Sequence, residues 1–155
     1  MRYVVSFIMV FIFFAEAKEM NSLFGIKIGQ SVSELDIIEC GKYGSYEKCK
    51  VTIQPYEKYD MNINVVFDKN KQKVIAVIVQ ENFLYSENCF IALGYFIDII
   101  LKEFNITFSR KFDENEIKLT GKSGRNKVIA YCTVIKALDL KFYNLTIMLI
   151  GLDYL

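Results

Sequence analysis

Catalysis requires side chains that give up a proton, attack or ligate, and in these 155 residues that set is narrow: four cysteines, no histidine, and scattered carboxylates. Without histidine the chain lacks the commonest general base, the Ser-His and Cys-His nucleophile pairs and the commonest metal ligand. Its cysteines, Cys40, Cys49, Cys89 and Cys132, show neither the C-x-x-C spacing nor the companion histidines of a metal site. Among the carboxylates, Asp113, Glu114 and Glu116 cluster in a polar bend between two short strands and read as a solvated turn. Asp98 interrupts an apolar segment. Buried there it would need a raised pKa or a paired cation, whereas on an exposed stripe it would face solvent or a lysine. Gly121-Lys-Ser-Gly124 lacks the glycine five residues earlier that a phosphate-binding loop requires, since Glu116 stands there, and its flanks read as strands, so it is expected to be a hairpin turn. No catalytic residue, cofactor or metal is assigned, and the chain is not expected to be an enzyme.

The cysteines have another use. The chain opens MRYVVSFIMVFIFFAEAKEM, with a basic residue at Arg2, an apolar run from Tyr3 to Phe14 and a small-x-small step at Ala15-Glu16-Ala17. Residues 1–17 read as a secretory signal peptide, with a single N-terminal membrane anchor the weaker alternative because the apolar run is short and stops at the small-x-small step. Residues 18–155 are then a single exported domain, and an even cysteine number behind such a leader favours two disulfides in an oxidising compartment. Four cysteines allow three pairings, among which sequence does not choose. The favoured pairing is Cys40 with Cys49, closing a short loop, and Cys89 with Cys132, tying a helix to a late strand. Nineteen basic and eighteen acidic side chains give a net charge of +1. That balance supplies no electrostatic reason for a nucleic-acid or anionic-membrane partner, and no stable membrane insertion is expected after cleavage.

The elements that must position these residues centre on a helix over about 86–104. Cys89, Leu93, Phe96, Ile97, Ile100 and Phe104 recur at three- and four-residue steps on one face, with Ser86 as N-cap and Glu87 at the positive end of the helix dipole. Ser31-Val-Ser-Glu34 has capping-box spacing and predicts a short helix over about 31–39. Alternating apolar residues predict strands over 49–54, 61–67, 106–112, 116–120, 127–137 and 138–150, with a bulge at Tyr143-Asn144 where the apolar phase slips. Residues 73–80 are apolar on both faces and belong in the middle of a sheet. The expected fold is α+β, a mostly antiparallel sheet of about six strands packed on one central helix.

The stretch Phe24-Gly-Ile-Lys-Ile-Gly-Gln-Ser-Val-Ser-Glu-Leu35, followed by a meander, resembles the opening of small exported bacterial α/β proteins over residues 24–80. These are of the SmpA/OmlA outer-membrane assembly type and the β-lactamase-inhibitor-protein type. The resemblance implies a periplasmic, non-catalytic protein acting by surface contact, and it carries over no functional residue. Unlike the assembly subunits, the chain has no lipid-acceptor cysteine after its leader.

Tyrosine is the compositional feature that fits contact. Tyr43, Tyr46, Tyr56 and Tyr59 fall in loops around the first strand of the meander and are the expected partner-binding residues, because tyrosine offers a large area at little rotamer cost. They serve equally well as caps on the ends of a tyrosine-rich sheet. Two glycosylation sequons, Asn105-Ile-Thr107 and Asn144-Leu-Thr146, read as incidental in an asparagine-rich chain, relevant only in a eukaryotic secretory pathway. The resulting expectation is a periplasmic or secreted protein that binds another protein, an inhibitor or immunity type first, then an envelope assembly factor or a small-ligand or lipid carrier. N-terminal sequencing of the exported chain is expected to begin at Lys18; a chain still beginning at Met1 would contradict the leader.

Overall fold

A stretch apolar on both faces cannot lie at the edge of a sheet, and Val74 to Val79 is such a stretch, almost wholly buried. The computed structural model describes residues 18–52, 61–137 and 140–155. The leader, Tyr56 and Tyr59 lie outside them.

The described chain starts with a small hairpin, β1 (Ser22–Leu23) and β2 (Ile26–Lys27), and makes one 3-10 turn at Val32–Glu34. Four strands follow, β3 (Ile37–Tyr43), β4 (Tyr46–Val51), β5 (Asn62–Asp68) and β6 (Lys73–Phe83). The helix α1 (Ser86–Glu103) then leads to β7 (Phe108–Phe112), β8 (Glu116–Ser123), β9 (Asn126–Ala137) and β10 (Leu140–Gly151). The eight strands from β3 onward form one antiparallel sheet in the order β3-β4-β5-β6-β10-β9-β8-β7. Two four-stranded meanders thus meet along β6 and β10, whose register runs without a break from Tyr143 opposite Phe83 to Ile150 opposite Ala76.

One face of the seam is covered by α1. Val77 and Val79 of β6, Leu145, Ile147 and Leu149 of β10 and Val128 and Ala130 of β9 are all fully buried in a common cluster with Ala92, Leu93, Phe96 and Ile100 of the helix. Phe24, from the tight turn between β1 and β2, closes one end, its ring centroid 5.7 Å from that of Phe96. The opposite face carries a smaller cluster of Val66, Ile75, Ala76 and Ile78, bordered by Tyr46, Met148, Ile150 and Tyr154. Two buried polar residues of the β8–β9 hairpin moor the start of the domain. The Met20 amide donates to Ser123 Oγ (2.7 Å), and Asn126 Nδ2 donates to the Met20 carbonyl (2.9 Å). Met20 is itself 1% exposed.

Both disulfides are the favoured ones. Cys40 and Cys49 stand directly opposite one another on β3 and β4. Cys89, in the first turn of α1, reaches Cys132 of β9. No described helix is long and apolar enough to cross a membrane.

Four expectations are corrected. Residues 31–39 are not a helix: Ser31 bridges Lys73 as a sheet residue, the Ser31 hydroxyl meets that of Ser33 instead of capping an amide, and Ile37 begins an edge strand held by the Cys40–Cys49 bond. Local capping spacing is worth about 1 kcal/mol, less than pairing a whole strand. The main sheet has eight strands instead of about six, with a two-stranded sheet beside it; β3, exposed along its whole length, was not legible as a strand. The N-cap of α1 is Tyr85, without a side-chain cap, and Ser86 is already helical. No bulge occurs at Tyr143-Asn144; both neighbours pair through it, and the sheet is irregular instead at Ile37/Glu39 and Val66/Phe67. The phase slip records a change in which face is apolar, since Leu140 and Phe142 lie on the side away from α1.

Asp68 shows how the short turns are held. Its carboxylate accepts the amides of Asn70 (2.7 Å) and Lys71 (3.1 Å). The Lys71 amide first, then that of Asn70, holds its pKa below the ordinary aspartate value.

Removing the Cys89–Cys132 bond by double substitution to alanine is expected to cost about 4 kcal/mol in the loop-entropy model, and removing Cys40–Cys49 about 2.5 kcal/mol. The difference follows from sequence separations of 43 and 9. Denaturant unfolding of the two double variants checks the order.

Candidate protein-contact site

The topology sends α1 back along the sheet from the end where β6 stops. That end also gathers the starts of β3, β5, β8 and β10 and the last residues of β4, β7 and β9. It is unusually apolar for an edge. Of the thirteen large apolar side chains exposed among the described residues, nine lie there: Ile37, Ile38, Leu84, Tyr85, Phe90, Ile91, Phe112, Ile135 and Leu140. Leu84 and Tyr85 are 72% and 68% exposed, and Phe112 is 64% exposed.

Two of these residues, Phe90 and Phe112, line an open cleft of about 360 Å³. Ser86 and Phe90 of α1 form one wall, and Phe112 with the bend Asp113–Ile117 forms the other. Cys132 and Val134 make the floor, and Lys141 and Tyr143 close the side. The acidic bend is fixed in place. The Asp113 amide donates to the Glu116 carbonyl (3.0 Å), the Asn115 amide to Asp113 Oδ1 (2.8 Å), and the Val134 amide to the Asn115 carbonyl (3.0 Å). The last of these ties the bend to β9. Below it, the disulfide from Cys89 to Cys132 locks helix and sheet together. Three carboxylates, Asp113, Glu114 and Glu116, face one cation, Lys141, whose Nζ sits 5.5 Å from the centroid of the Tyr143 ring. Such an arrangement can hold an apolar or aromatic anchor and favour a positively charged neighbour.

The means for covalent chemistry are sparse in it. Every cysteine is in a disulfide. No group of three or more Cys, Asp or Glu among the described residues is arranged to hold a metal. A second cavity, at the opposite end between the first hairpin and the last turns of α1, is lined by Met20, Leu23, Phe24, Phe96, Ile100 and Phe104 and measures about 230 Å³. That is below the roughly 300–1,000 Å³ of pockets that enclose a drug-sized ligand.

Two of the four expected tyrosines, Tyr43 and Tyr46, are among the described residues. Tyr43 and Tyr46 face each other across the β3–β4 turn, at the end remote from the cleft. Tyr43 is 52% exposed, with Lys48 Nζ 5.9 Å from its ring centroid, while Tyr46 belongs to β4, not to a loop, and packs against the smaller apolar cluster. Tyr56 and Tyr59 lie outside the described residues; the strands they connect end at Val51 and begin at Asn62, at the other end of β4. Gly121–Gly124 is the β8–β9 hairpin, with Gly124 at φ +56°. Asp98 is exposed and pairs with Lys102 one turn on, at 2.6 Å. Sequence reasoning passed over Phe90, Ile91 and Phe112. Phe90 and Ile91 stood off the stripe of Cys89, Leu93 and Phe96, and that displacement was the available signal.

No family model, curated protein or solved structure matches the chain.

The Asp98 carboxylate, by hydrogen bond and then by charge, raises the pKa of Lys102. The pair's contribution is therefore complete below the ordinary lysine pKa and is lost as pH rises through the raised value. In Asp98→Ala the Lys102 titration followed by NMR is expected to move down, with global stability unchanged because both side chains are exposed.

Proposed function

We propose that the mature chain is an exported protein of inhibitor or immunity type that works by gripping another protein with the cleft end of the sheet. The observation that carries this reading is the concentration of exposed apolar side chains at one end of the sheet, where Phe90 and Phe112 line an acidic cleft held by hydrogen bonds. Contiguous apolar surface rimmed by polar groups marks an interaction surface more often than chance exposure does. Phe90, Phe112 and Tyr85 have the size and stiffness of interface anchors. The disulfide floor and the hydrogen-bonded bend keep them in place before binding, which lowers the ordering cost of association. The carboxylates of the bend favour a partner that presents lysine or arginine beside an apolar side chain. Two disulfides support an oxidising compartment as the place of action.

The reading is tested by capture from periplasmic and secreted proteins with oxidised mature chain, beside Phe90→Glu, Phe112→Glu and Tyr43→Ala variants. A one-to-one partner is expected whose affinity falls about 30-fold or more in each phenylalanine variant, the effect of losing an anchor worth about 2 kcal/mol. Tyr43→Ala is expected to leave it unchanged. Capture insensitive to both phenylalanines but lost with Tyr43 would move the contact to the β3–β4 turn. Recovery of membrane-assembly components would favour the envelope role instead.

A further inference from the structure

The two sequons, equivalent as sequence, are placed in opposite environments. Asn144 sits within β10, paired on one side with Thr133 and on the other with Asn82. It is 8% exposed, and Thr146 is 1% exposed. Their side chains are committed to each other: Asn144 Nδ2 donates to Asn82 Oδ1 (2.9 Å), and the Thr146 hydroxyl donates to Asn144 Oδ1 (2.6 Å). A glycan there would have no route out of the sheet.

Asn105 is the reverse case. It follows the last residues of α1 in a segment of neither helix nor strand, and both Asn105 and Thr107 are exposed. Ile106 between them is 5% exposed and acts as the anchor. It packs over Gly121 so closely that a Cβ at 121 would come within 2.6 Å of Ile106 Cγ2. The buried middle residue pins the segment and leaves the acceptor and its hydroxyl residue outside.

We infer that Asn105 is an N-glycosylation acceptor and that Asn144 is not. The donor is a polyprenyl-diphosphate-linked oligosaccharide. Asn105 Nδ2 forms a bond to the anomeric carbon, the bond from that carbon to the diphosphate oxygen breaks, the polyprenyl diphosphate leaves with the electron pair, and the amide gives up one proton; nothing is oxidised or reduced. The inference rests on the export reading above in its secreted, eukaryotic form, since the transfer takes place in that secretory compartment. It also fits the contact surface. Asn105 lies beyond the far end of an 18-residue helix from the cleft, about 27 Å along its axis, so a glycan there leaves the cleft open.

The test is expression of the full chain in a glycosylating eukaryotic secretory host, with mass spectrometry of the secreted product. The tryptic peptide 103–110 is expected to carry a glycan that an asparagine-amidase removes, leaving aspartate at 105. Asn105→Gln and Thr107→Ala each abolish it, Asn144→Gln does not, and all three variants form both disulfides. A processed, disulfide-bonded product unmodified at Asn105 overturns the inference while leaving export intact. A folded, disulfide-bonded product with a glycan on Asn144 overturns it as well. A chain that begins at Met1 and stays in the cytosol overturns the export reading, and this inference with it.

Discussion

The seam between β6 and β10 is the contact on which the rest of the molecule depends. Neither meander can bury its apolar face alone, and each contributes one strand to a pairing eight residues long. Val77 and Val79 from one half meet Leu145, Ile147 and Leu149 from the other, all fully buried under α1. At about 25 cal/mol per Å² of apolar surface withdrawn from water, such a strip outweighs any individual hydrogen bond in the structure. The seam also joins residues distant in sequence, so the halves must form together.

From the seam the position of everything else follows. Because β6 ends where α1 begins, the helix runs back over the sheet and its first turns stand above the ends of β7 to β10. The Cys89–Cys132 bond crosses that junction. The helix stripe buries Cys89, Ala92, Leu93, Phe96 and Ile100, which leaves Phe90 and Ile91 turned outward, Phe90 beside the acidic bend. The cleft is thus a by-product of covering the seam with a helix apolar over more of its girth than the sheet can occupy. At the other end, Met20 and the β1–β2 hairpin fill the space under the last turns of α1, so a filled wedge with a small cavity remains where a ligand carrier would need a chamber.

Most regular elements were legible because their periodicities are strong. Val74 to Val79 announces a central strand by being apolar on both faces, and the three- and four-residue steps from Cys89 to Ile100 announce the helix. The favoured cysteine pairing is the one seen, but the sequence left three pairings open and only the fold chose among them. Other features were illegible for physical reasons. Ile37 to Tyr43 is exposed along its whole length, as an unpartnered edge can be, so it carries no alternation, and its strand state comes from pairing with β4. Ser31 to Glu34 has helix-start spacing, yet the Val32 amide is taken by the Gln72 carbonyl across the sheet. Tyr43 and Tyr46 looked like members of one tyrosine surface with residues farther along the chain. The length of β4 sends them to the end away from the next connection.

What the sequence determined by itself was local and periodic: the leader-like first residues, an α+β chain with one long helix, a central strand, and cysteines in an even number. Tertiary structure alone decided which surfaces face solvent together. The residues about the cleft come from α1, β7, β8, β9 and β10, and no single segment shows a pattern that unites them. The two sequons make the same point in three residues each. Their composition is alike, but one lies in a strand paired on both sides, and the other sits in a segment pinned outward by a buried isoleucine. Burial is a property of the neighbours a residue acquires, and those neighbours are set by pairings between strands far apart in the chain.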